Sequence, residues 1–384
     1  MRAYEESSEE ALRARDLLKD WAGEGLLTQA QYQRMEQETV CDLRRTNIFL
    51  RLALYLFTLI IVGAAVALFV EVFLSRPSQQ TTGSCLLIFA AVSYGAAEVA
   101  VSRYRLYRYG IEEALATCSV FLLCAGLQAT KPGGPEFLVP AVGCIASLWI
   151  WRHFGFPYAF PAAMIFVLWL PGYWTSSHTA QHLIVAAFYA LGLIAVAAAR
   201  SRHSVAEALL WLGIYLAINL KLWSVDLLGN WWWGPRTAPE FSRPFYWATW
   251  VLIWCLPPAV LARGVRRKDR WVIAAGAVAA VLTLVTNKPY LGWPRHTWDP
   301  MLLGALLIAV ALFLSRWLAA GPSGIRHGFT ARRLSGKDKQ WMNAGAVGLG
   351  VLSAHSLTPS PQPDTPDFRP GGGDSGGGGA SSDF

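Results

Sequence analysis

Apolar residues along this 384-residue chain fall in long unbroken runs rather than in stripes. The first run, residues 47–74, reads NIFLRLALYLFTLIIVGAAVALFVEVFL, with only Arg51 and Glu71 charged. A helix that crosses hydrocarbon needs about 20 such residues, because no water is present to satisfy backbone N–H and C=O groups. Runs of the same character follow near 83–102, 111–130, 135–151, 156–174, 180–199, 205–227, 244–263, 270–287 and 299–319. The pattern predicts an all-α fold, a polytopic transmembrane helical bundle of about ten spans. The shortest run, 135–151, contains Pro140, which a span tolerates when neighbouring helices satisfy the freed carbonyl.

Ahead of the first span, residues 1–46 have a different pattern. Ala11, Leu17, Leu18 and Trp21 recur at helical spacing, with Ser7 and Glu10 at the spacing of a capping box. Gly23 and Gly25 end that helix, and Thr28 with Gln31 starts a second one. The head is therefore expected to be a helical hairpin that enters the first span through Arg44 and Arg45.

The stretch LLKDWAGEGLLTQAQYQRM within that head resembles the N-terminal signature of a bacterial family of predicted polytopic membrane proteins of unknown function. The shared features are a Trp, a Gly, two apolar residues, a Ser/Thr cap and a Gln-bearing helix ahead of many spans. The resemblance covers residues 1–75; it implies the topology and adds no activity. The head is either a cytosolic cap on the bundle or a docking point for a soluble protein.

Charge changes the picture by fixing direction. Only 15% of residues are charged, against about 25% in soluble domains, and 54% are apolar. The net charge of +8 does not form a basic face with interleaved aromatics, which argues against nucleic acid. With the head placed inside, 26 of the 33 Lys and Arg fall on the inner side of a ten-span thread and seven on the outer. Cationic loops stay cytosolic, so both termini are expected in the cytosol of a cytoplasmic (inner) membrane protein. The first span itself serves as insertion signal, since the polar N-terminus is no cleavable signal peptide. The six cysteines form no CxxC pair and read as small buried apolar residues.

Candidate chemistry is sparse. No Walker, dinucleotide-binding or HExxH motif is present, so no catalytic residue, cofactor or metal site is assigned. His178 and His182 have i,i+4 spacing but no carboxylate or Cys beside them, and His296 with Asp299 lacks a nucleophile. Glu113 and Glu207 read as helix caps at the starts of spans three and seven, Glu207 behind Ser204. Glu98 is placed one turn inside span two, where Arg103 or Arg105 is the expected partner. Asn219, Lys221 and Asp226 lie in the outer part of span seven, and Asn287, Lys288 and Asp299 flank the next outer loop. These are read either as an outward polar vestibule or as a snorkelling lysine with interfacial neighbours. Glu98, Asn219, Lys221 and Asp226 are the candidate binding residues. Seven Trp fall on the outer side, three of them in the loop 229–243, as an interfacial belt or as a surface for a sugar or lipid headgroup.

Two similarities suggest an internal duplication: LIFAA at 87–91 with LIVAA at 183–187, and IEEAL at 111–115 with VAEAL at 205–209. They superpose spans two and three on six and seven in the same direction, a parallel repeat known among transporters. After the spans, 320–357 is a basic segment at the membrane surface, and 358–384 is Pro- and Gly-rich and cannot bury a core. That ending resembles Gly-rich C-termini of several unrelated bacterial membrane proteins. The expected function is a non-enzymatic scaffold or sensor that meets the lipid bilayer and a cytosolic protein through head or tail. The alternative is a solute or ion permease, and a membrane enzyme for lipid-linked substrates is a third class.

Overall fold

A computed structural model describes residues 3–4, 6–23, 25–39, 43–73, 78–130, 133–198, 203–223, 241–293, 296, 298–321, 325–326 and 329–330. Asp226, the Trp-rich loop up to residue 240 and nearly all of the segment beyond 330 lie outside the described residues. Two compact units are distinguished: Met1–Asp16 with Arg34–Ser315, and Leu17–Gln33 with Arg316–Phe384. In the second, a two-residue antiparallel pair joins Ile325–Arg326 to Phe329–Thr330; the rest of the described regular structure is helical.

The helices in chain order are α1 (Glu6–Gly23), α2 (Gln29–Glu38), α3 (Ile48–Phe73), α4 (Gln79–Ser102), α5 (Ile111–Thr130), α6 (Leu138–Phe154) and α7 (Ala159–Trp169). They continue with α8 (His178–Ala198), α9 (Ser204–Ile218), α10 (Leu220–Trp223), α11 (Arg243–Arg267), α12 (Arg270–Tyr290) and α13 (Asp299–Ala319). Seven of them, α3, α4, α5, α8, α11, α12 and α13, are long and apolar enough to cross a membrane. The chain is a multi-pass membrane protein. α3 and α13 bury none of their residues, and Ile48 and Phe49 are more than 80% exposed. Such surfaces would aggregate in water and are at home in hydrocarbon.

The run expected at 135–151 forms a helix of the same 17 residues moved to Leu138–Phe154, while those expected at 156–174 and 205–227 form shorter helices, of 11 and 15 residues. Each ends for a local cause. Gly155 takes the left-handed conformation that ends α6. α7 tightens at Leu170–Tyr173 into a 3-10 turn that holds Pro171. Asn219 adopts an extended backbone between α9 and α10.

Backbone proximity and hydrogen bonds hold the bundle, since lipid supplies little hydrophobic drive between helices. α4 and α5 touch through glycine: a Cβ at Gly83 would sit 2.6 Å from the Thr130 nitrogen, and one at Gly126 would sit 2.9 Å from Leu87. In α11, Pro257 has no N–H for the Ile253 carbonyl one turn back. Thr283 of α12 offers a donor in its place, its hydroxyl lying 2.8 Å from that carbonyl and 2.9 Å from Ala279 O of its own helix, between which its one hydrogen is shared.

In the head, the reciprocal cap expected at Thr28 forms: Gln31 N donates to Thr28 Oγ1 at 3.3 Å, and Thr28 N to Gln31 Oε1 at 3.0 Å. α1 begins at Glu6, one residue ahead of the expected cap position Ser7. The chain's first residues and the strand-like stretch before α3 are stitched to one end of the bundle. Ala3 N donates to His153 O at 2.8 Å, Tyr4 Oη to Leu106 O at 2.9 Å, and Tyr107 N to Arg44 O at 3.0 Å.

Candidate functional site

The same end of the bundle gathers most of the paired charge. Glu113, in the first turn of α5, accepts from Arg51 of α3 through both carboxylate oxygens, Nε at 2.6 Å and Nη2. Glu207, in the first turn of α9, accepts from Arg263 Nε at 2.5 Å and Arg267 Nη1 at 3.1 Å, both from the last turns of α11. The expectation that these two glutamates are simple helix caps is therefore corrected: each is an ion pair between helices. A carboxylate in a first turn is favoured by the helix dipole, and the arginine adds a fork-shaped partner. The capping reading at Ser204 also fails, because the N-cap residue is His203 and no side chain caps α9 there.

Between these pairs lies a cavity of about 600 Å³, lined by the connections α4–α5, α6–α7, α8–α9 and α11–α12. Arg108, Arg152, Arg270 and His203 bring the basic groups, and Tyr107, Trp151 and Trp271 bring aromatic faces. The Arg108 guanidinium lies 5.5 Å from the Tyr107 ring centroid and that of Arg270 lies 5.6 Å from Trp271. Trp151 meets the His203 ring edge-on at 5.0 Å. No carboxylate is among the described lining residues. Ser204, Val205 and Ala206, the uncapped first turn of α9, form part of the wall. The neighbouring start of α12 differs, since Asp269 there accepts from Trp271 N at 3.0 Å and Val272 N at 3.4 Å. Arginines converging on an open helix N-terminus suit an oxyanion, with phosphate the best geometric match to guanidinium forks. The described lining residues carry two hydroxyls, those of Tyr107 and Ser204, and one imidazole, that of His203.

No family model, curated protein or solved structure matches the chain. Its function has to be argued from its own geometry.

The residues singled out from the sequence do not meet in one place. Glu98 ends α4 opposite His153 of α6, with Oε2 2.9 Å from Nε2, where an arginine was the expected partner. Asn219 is fully buried and acts as a hub where α9 breaks. Its Nδ2 donates to Tyr215 Oη at 2.9 Å and to Thr286 Oγ1 at 3.0 Å, while Tyr215 Oη meets Thr283 Oγ1 at 2.8 Å. The break frees the Leu220 N–H, which donates to Tyr290 Oη at 2.7 Å. Lys221 stands 5.3 Å from the Tyr246 ring centroid and 5.9 Å from that of Tyr290. Lys288 pairs with Asp299 at 2.5 Å, and Asn287 Oδ1 accepts from Trp250 Nε1 at 3.2 Å. His182 is buried, its Nδ1 2.6 Å from the Ala217 carbonyl, and among the described residues no group of three metal-ligating side chains forms.

Sequence reasoning missed the cavity. Arg108, Arg152 and Arg270 were counted there as cationic loop residues that set direction. The available signal was that each stands next to, or one residue from, an aromatic: Tyr107, Trp151 and Trp271.

Proposed function

We propose that this protein is a non-enzymatic sensor or scaffold of a bacterial cytoplasmic membrane, which holds a phosphate-bearing anion at its cytosolic face. The observation that carries this reading is the 600 Å³ cavity with three arginines and no acidic group among its described lining residues. The chain threads the membrane ten times with both termini inside. In support, every connection that lines the cavity is one that the ten-span thread puts on the cytosolic side, and two of the three short helices come near crossing length. At about 1.5 Å per residue, α6 is roughly 26 Å long, and α9 with α10 roughly 29 Å. The head resembles that of a bacterial polytopic family, and its Ala3, Tyr4 and Arg44 are hydrogen-bonded at the anion-binding end.

Reporters fused after Arg236 and after Arg267 test the threading: the first is expected outside and the second inside. A shared compartment overturns it. Anion binding is tested on the purified full-length protein by thermal unfolding with inorganic pyrophosphate. A rise in Tm that declines with added salt is expected, and it is lost in Arg152→Gln. No rise in the wild type sinks the reading.

A permease is the second reading, favoured by the interrupted helix at Asn219, since broken spans frame many transporter sites. Against it, the polar groups at that break are turned on one another in a buried network rather than on a passage.

A further inference from the structure

A second cavity, of about 320 Å³, lies deeper in the bundle between α7 and α9. Its wall includes Met164, Ile165 and Leu168 of α7 and Leu212 and Leu216 of α9. The one hydroxyl in the wall is spent, since Tyr189 Oη donates to the Met164 carbonyl at 2.9 Å. Leu209 lines this cavity and the basic one alike. The two cavities adjoin at Leu209, with arginines around the one, the mouth, and hydrocarbon along the other, the shaft. Ile165 is 53% and Leu216 40% exposed, so the shaft opens sideways to the membrane interior.

We propose that mouth and shaft together seat one anionic phospholipid, its phosphate among Arg108, Arg152 and Arg270 and one acyl chain along α7 and α9. The proposal rests on the anion-binding reading of the mouth and names its ligand. Three observations favour a lipid over a free phosphate. The polar mouth adjoins, across Leu209, a wall whose described side chains offer no available polar group. The shaft is open on its lipid side, the route by which a lipid enters. From Ser204 to Leu216 mouth and shaft run about 18 Å at 1.5 Å per residue, close to the roughly 15 Å of one hydrocarbon leaflet. The charge excess at the mouth selects an anionic head over a zwitterionic one, as basic pockets between spans do.

The test uses the full-length protein, delipidated in dodecyl maltoside, with native mass spectrometry and thermal unfolding as readouts. Phosphatidylglycerol is expected to remain bound one to one, about tenfold more tightly than phosphatidylethanolamine or inorganic phosphate. Leu216→Trp fills the shaft, with Ile165→Trp as a second variant should the first fail to fold. Either is expected to weaken phosphatidylglycerol about tenfold and leave inorganic phosphate unchanged, whereas Arg152→Gln weakens both. If the shaft-filling variants bind phosphatidylglycerol as the wild type does, or if the two phospholipids bind equally, the lipid proposal is overturned and the anion site stands. If Arg152→Gln alters neither ligand, the anion site falls as well.

Discussion

Replacing Thr283 by Val tests the claim that a threonine on one helix repairs a proline in another. The substitution keeps the branched shape and removes one hydroxyl. That hydroxyl donates to the Ile253 carbonyl, left without a helical donor by Pro257, and faces Tyr215 Oη at 2.8 Å. A buried polar group left unpaired costs about 1–3 kcal/mol, whereas measured hydrogen bonds between membrane helices average only about 0.6 kcal/mol. Thr283→Val is therefore expected to cost about 1–2 kcal/mol, most of it at the Ile253 carbonyl. Pro257→Ala returns an N–H to that carbonyl, so in this background the same change should cost only about 0.5 kcal/mol, the share of the Tyr215 contact. The assay is equilibrium unfolding of all four proteins of the cycle in mixed micelles titrated with dodecyl sulfate. A Thr283→Val penalty that agrees in the two backgrounds to within about 0.3 kcal/mol refutes the repair, because independent sites add to that tolerance.

Breaking the α3–α5 ion pair with Glu113→Ala leaves Arg51 partly buried beside Glu112, and should lower stability by about 3 kcal/mol. The double change Arg51→Met with Glu113→Met should recover most of that loss in the same unfolding assay, and a double variant no better than the single one would remove the argument. Gly83→Ala forces a Cβ to within 2.6 Å of the Thr130 nitrogen, and is expected to destabilise by about 1–3 kcal/mol. Gly63→Ala, where nothing lies within 4 Å, should instead be neutral or stabilise by up to about 1 kcal/mol. Equal melting temperatures for these two variants would contradict the close approach of α4 and α5.

The helical, membrane-crossing nature of the chain was legible because it depends on local composition alone. The Thr28–Gln31 cap was legible for the same reason: both partners lie within one turn. Glu113 and Glu207 were misread because a capping rule sees only neighbours, while their arginines lie 62 and 56 residues away along the chain. Two of the short helices were overrun by the hydropathy pattern, which registers oiliness and not the 3-10 turn at Leu170–Tyr173 or the backbone conformation of Asn219. The cavity was hidden most deeply. Its arginines come from three separate places, the α4–α5 connection, the end of α6 and the start of α12, each carrying the ordinary charge of a helix end or loop, and only the fold brings them together.

The touching backbones of α4 and α5 have a bearing on how the protein is made. Where the Gly83 and Gly126 turns meet, not even a methyl group fits, so no fatty chain can be displaced from that seam later without prying the pair apart. The two segments also leave the ribosome in succession, joined by the short link 103–110. Lateral release into the bilayer is thus expected as a ready-closed pair, around which later helices settle.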